Sequence, residues 1–86
     1  MYEVKTVPRF DKALKALSPE IAERILEKVS SALAKDPLSA PPMRNMPEKL
    51  KGVRKYRVGK WRIFYFVRDR EVILYLVDNR DTIYDY

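Results

Sequence analysis

Tyr2, Val4 and Thr6 alternate with Glu3 and Lys5 over residues 1–7, the period-two spacing of a half-buried strand, and Pro8 ends it. From Arg9 the period changes. Phe10, Ala13, Leu14 and Leu17 fall on one face at helical spacing. Ser18-Pro19 stops that helix and opens the next, because a serine hydroxyl caps free N–H groups and proline fits the first helical position. The second helix runs to about Lys35. Ile21, Ile25, Val29 and Leu33 form its apolar stripe, joined by Ala22, Leu26 and Ala32. Both stripes read as core. Residues 36–52 (DPLSAPPMRNMPEKLKG) are proline-rich and without period. A connection this long points to a functional or partner-facing role.

Three strands follow, at 53–58, 61–67 and 72–78. Gly59-Lys60 between the first two is the signature of a type II′ hairpin turn, since only glycine takes the first position without strain. A two-residue turn fixes the register. Val58 then faces Trp61, Arg57 faces Arg62, Tyr56 faces Ile63 and Lys55 faces Phe64. The next hairpin, through 68–71, pairs Val67 with Val72. Alternation sorts these residues onto two faces. One carries Arg54, Tyr56, Val58, Trp61, Ile63, Tyr65, Leu74 and Leu76; it is mostly apolar, and the two helices should cover it. The other carries Val53, Lys55, Arg57, Arg62, Phe64, Phe66, Ile73, Tyr75 and Val77. The expected fold is therefore α+β: an N-terminal strand, a two-helix hairpin and an antiparallel meander of three strands, in a single domain spanning 1–86.

The second face raises the question of function. Directly opposed like charges destabilise a sheet by a few tenths to ~1 kcal/mol, and here Arg57 opposes Arg62 with Lys55 diagonal to it. Stability alone would favour Glu or Thr at one of these positions. The charge balance agrees. Residues 1–43 hold seven Lys/Arg and six Asp/Glu, residues 44–86 eleven and six, and between Lys49 and Arg62 there are seven cations and no acid. Such a cluster suits a polyanion, nucleic acid being the commonest. The competing reading is a solvated lysine-rich surface. Phe64 and Tyr75, with Tyr84, lie near the cations in this register; they read as base-stacking surfaces or as a second small core, and the first reading is favoured. Lys49, Lys51, Arg54 and Lys60, with Phe64, are the candidate RNA contacts.

The remaining composition excludes other chemistry. With no cysteine there is no disulfide framework or thiolate metal site, and with no histidine the usual neutral-pH acid–base is missing. The acids Asp78, Asp81 and Asp85 are weak metal candidates, and neither a metal nor a small-molecule cofactor is expected. No apolar run approaches the ~18 residues of a membrane span, so the expected setting is cytoplasmic, away from any membrane.

The order of elements, with YRVGKWRIFYFV in the meander and NRDTIY near its end, resembles the RelE/ParE toxin superfamily over nearly the whole chain. The matching pattern is Arg57, Gly59, Trp61 and Arg62, then Arg80 and Tyr84. The resemblance implies a βααβββ sheet with helices on one face. RelE-type members are ribonucleases that cut mRNA in the ribosomal A site, and ParE-type members poison DNA gyrase on the same fold. Carried over position by position, the ribonuclease residues are Lys55, Arg57, Arg62, Arg80 and Tyr84. Where some relatives hold a second basic residue this chain has Val53, so Arg54 or Lys51 would have to serve instead. The implied reaction is attack of a 2′-OH on its own phosphate. Lys55 or Tyr84 would be the base, Arg62 and Arg80 the phosphate clamp, and Arg57 an assistant or acid. The implied partners are a RelB-like antitoxin, the ribosome and mRNA. The alternatives are a gyrase-directed toxin and a non-catalytic RNA- or protein-binding module.

Overall fold

The computed structural model describes residues 1–79. Strand β1 (Glu3–Thr6) leads into helices α1 (Pro8–Lys15) and α2 (Pro19–Lys35), and a single 3₁₀ turn (Glu48–Leu50) precedes β2 (Arg54–Val58), β3 (Trp61–Arg68) and β4 (Glu71–Asp78). Helix α1 stops at Lys15, shorter than its apolar stripe, and the chain turns through Ala16 and Leu17 to Ser18, which as the residue before a proline is driven out of the helical region. Ser18 is accordingly extended (φ −63°, ψ 149°), and its hydroxyl accepts from the Ile21 N–H at 3.4 Å as the cap of α2. None of the described helices is long and apolar enough to cross a membrane.

The four strands form one sheet in the order β1-β4-β3-β2. The meander is antiparallel, and β1 joins it parallel to β4, with Val4 beside Val72 and Thr6 beside Leu74. Backbone bonds from Tyr2 N–H to the Ala34 carbonyl and from Glu3 N–H to that of Arg70, both 2.9 Å, fasten β1 at its start. Both helices lie on one face. Phe10, Ile25, Val29 and Leu33 pack there against Val58, Ile63, Tyr65, Val72, Leu74 and Val77, all buried. Leu26, counted with the stripe by periodicity, is instead 38% exposed.

The first hairpin has the register its turn dictates, from Val58–Trp61 back to Arg54–Tyr65. Gly59 has φ +61° while Lys60 stays at negative φ, as a II′ turn requires. The second hairpin starts as expected at Val67–Val72, around a two-residue turn with Asp69 left-handed at φ 55°. It then departs from simple alternation. Tyr65 pairs with Leu74, but Phe64 pairs with Leu76, so Tyr75 is an extra residue in β4. This bulge exchanges the expected faces of Leu76 and Val77: Val77 enters the core beneath the helices, and Leu76 joins the opposite face.

That opposite face holds a second core. Leu50, Val53 and Phe64 are each 0% exposed there, surrounded by Met43, Met46, Phe66, Tyr75 and Leu76. The aperiodic connection supplies the cover. Its 3₁₀ turn points Leu50 into the sheet, and the Met43 N–H bonds the Val53 carbonyl at 2.8 Å. At its start the connection is held from the other face, where the buried Tyr65 hydroxyl donates to the Pro37 carbonyl at 2.8 Å and Arg54 donates to that of Ala40. Burial pushes the Tyr65 phenol above its ordinary pKa, with Arg54 acting in the opposite sense.

Candidate nucleic-acid interface

The covering loop divides the outer sheet face into two cationic ends. At the β2–β3 end, Arg57 sits directly across from Arg62, and Lys55 lies on the same face opposite Phe64. The pair closing a two-residue turn exchanges both backbone hydrogen bonds, so Arg57–Arg62 is the next, non-hydrogen-bonded pair, with Cα atoms about 4.5 Å apart. The backbone thus sets the two side chains on neighbouring positions of one face. Arg57 is exposed; Lys55 and Arg62 are half-buried. Arg62 Nη1 donates to the Lys60 carbonyl, which bends its guanidinium over the turn. On the far side Arg62 faces Asp78 of β4, giving the row Arg57, Arg62, Asp78 across three strands. Asp78 is the one acid that this row contains.

The other site residues expected from sequence fall out differently. Phe64 is not a stacking surface: it is fully buried under Leu50 and Val53, and no base can reach its ring. Arg54 lies on the helix-covered side and holds Ala40, so it does not face the cluster. Lys60 occupies the turn, its Nζ 5.4 Å from the centre of the Trp61 ring. Lys49 and Lys51 flank the buried Leu50 on the 3₁₀ turn and are exposed, at the far end of the face from Arg57. Arg80 and Tyr84 lie outside the described residues.

Sequence reading missed Arg9. Its guanidinium lies over the Tyr75 ring, 5.1 Å from the centroid, and Nη1 bonds the Tyr75 hydroxyl at 3.2 Å. Tyr75 in turn meets Phe66 edge-on at 5.5 Å. The signal available was the proline after β1, which turns the chain at the sheet margin, but the parallel pairing of β1 with β4 had to be known to exploit it. Among the described residues, no group of three or more Asp, Glu, His or Cys comes together as a metal site would require.

Residues 4–84 match the family described as the ParE toxin of type II toxin–antitoxin systems, parDE. The chain belongs to the RelE/ParE toxin superfamily. It is thus a toxin of a type II toxin–antitoxin system. Among solved structures, the toxin is similar to a chain of the RelBE2 toxin–antitoxin complex of Mycobacterium tuberculosis, with 25% identity, 94% of this chain and 93% of that one covered, and a TM-score of 0.78. A chain of the intact Escherichia coli RelBE complex matches at 21% identity, covering 95% and 100% of the two chains, with a TM-score of 0.72. The chromosomal ParDE system of Pseudomonas aeruginosa supplies another match, at 20% identity over 91% and 95% of the chains, with a TM-score of 0.67. The last two show a shared fold. No curated protein sequence matches the toxin.

Proposed function

We propose that the toxin is a ribosome-dependent endoribonuclease that cuts mRNA in the A site. The observation that carries this reading is the opposed pair Arg57–Arg62, with Lys55 on the same face. Two arginines on directly opposed positions of one face suit the three equatorial oxygens of a phosphorane, to which each guanidinium can donate in parallel. In the proposed step the 2′-oxygen bonds to the adjacent phosphorus and the bond from phosphorus to the 5′-oxygen breaks. A base takes the 2′ proton and an acid supplies one to the departing 5′-oxygen. The products are a 2′,3′-cyclic phosphate and a 5′-hydroxyl end. Lys55 is the base candidate within the described residues, and Arg57 is assigned to assist or to act as the acid for the leaving oxygen. Arg80 and Tyr84 complete the proposed site. The antitoxin partner is proposed to mask it with an acidic segment, and β2, the edge strand of the sheet among the described residues, offers a place for that segment to pair.

A second reading, inhibition of DNA gyrase, is favoured by the family's description as ParE and by the likeness to the ParDE structure. One pair of assays separates the two. Primer extension on purified ribosomes programmed with a defined message is expected to show new 5′ ends in the A-site codon, absent with an Arg57→Gln/Arg62→Gln variant. Gyrase supercoiling should proceed undisturbed. Intact message together with blocked supercoiling would transfer the proposal to gyrase.

A further inference from the structure

The far end of the outer face has a site of its own. A groove of about 460 Å³ runs between the 3₁₀ turn and the sheet, lined by Val7, Glu48, Lys49, Lys51, Phe66, Arg68 and Ile73. Its floor is apolar: Val7, Phe66 and Ile73 are half-buried and open toward it. Its rim is cationic. Lys49, Lys51 and Arg68 are exposed, against the single acid Glu48, and among the described residues none of the three makes an ion pair. Nearby acid is already engaged, since Glu71, opposite Arg68, binds Lys5 Nζ at 2.6 Å.

Arg62 and Arg68 lie on the same face of β3, six residues apart, or roughly 20 Å at 3.3 Å per residue. Between them the loop covers Phe64, so the two cationic ends are separate sites rather than one patch. We infer that this groove is a second RNA-binding site, taking the backbone phosphates and one base or ribose face of a single strand whose scissile phosphate lies at Arg57 and Arg62. The chemistry fits a single strand, because phosphates seek the cationic rim while an unpaired base or sugar has an apolar floor to lie on. The inference rests on the RNA-directed reading above. It adds that the strand is gripped at two places, which would hold the scissile bond in register.

The test uses the free toxin and uncleavable 2′-O-methyl oligouridine, so binding is read without any need for cleavage. Fluorescence anisotropy would compare a dinucleotide with an oligomer of about ten nucleotides. Wild type is expected to bind the longer strand more tightly and with a steeper salt dependence. A Lys49→Gln/Lys51→Gln/Arg68→Gln variant should lose that gain, its log–log salt slope becoming shallower by about 2 for three lost contacts at 0.7 each. Dinucleotide binding should be unchanged. A control with Lys12, Lys15 and Lys28 changed to Gln removes equal charge from exposed helix positions and should keep the gain. Equal losses in both variants would mean a diffuse charge effect and overturn the inference. So would an unaltered slope in the groove variant, including the case where that variant loses only its affinity for an acidic antitoxin. Retained two-site binding with no cleavage on ribosomes would leave the groove standing and remove the ribonuclease reading.

Discussion

Arg62 lies between Arg57 across on β2 and Asp78 across on β4, and its guanidinium donates to the Lys60 carbonyl at its own turn. A charge so placed acts through geometry as much as through its sign. Arg62→Lys keeps the charge and loses the planar fork, so single-turnover cleavage on programmed ribosomes should fall about 10²–10³-fold, with ribosome binding little changed. An undiminished rate would mean that the phosphate is not clamped there. Phe64 belongs to a different ledger. With its ring fully buried, Phe64→Ala should cost about 3–5 kcal/mol in urea unfolding, as large-to-small core changes do. A base-stacking role would have predicted weaker RNA binding at unchanged stability.

Among the elements, the first hairpin was legible because a two-residue turn leaves its strands one register, and the opposed arginines followed from counting outward from Gly59. The bulge at Tyr75 was not. Strict alternation assigns Leu76 to the helices, whereas in the structure it packs with Leu50, Val53 and Phe64 in the second core, and that core exists only once the loop has folded back. The loop itself carries no period, so its covering role could not be read; its length suggested a partner where much of it serves the core. Tyr65 is a key to this connection, as its hydroxyl holds Pro37. Tyr65→Phe should cost about 1 kcal/mol near neutral pH by leaving that carbonyl without its donor. The phenol's raised pKa gives a second signature. A proton held more tightly in the folded state stabilises it fully below the unfolded phenol value near 10, and that contribution is lost as pH rises through the folded value. Unfolding titrations should show wild type losing stability above about pH 10 and Tyr65→Phe losing less. Parallel curves would dissociate the tyrosine from alkaline unfolding.

The whole molecule is two layers with unequal electrostatic duties. Helices and first strand lie in a half of the sequence that is nearly neutral, while the meander half holds eleven Lys/Arg against six acids and turns much of that charge to the face away from the helices. The helices need only close the core, which leaves the outer face to carry the cation row, the loop-covered second core and the groove beyond it. Composition made this polarity legible; the division of the face into two sites was not, since it depends on where the loop lies. In the proposed function the cation row serves a 2′-OH attack on message. Its most direct test is single-turnover cleavage on programmed ribosomes, comparing an ordinary message with one bearing a 2′-O-methyl group on the nucleotide just 5′ of the scissile phosphate. The toxin is expected to bind both ribosomes equally and to cut only the first, leaving a 2′,3′-cyclic phosphate. Cleavage of the methylated message, or no cleavage of either by a toxin that binds, would contradict it.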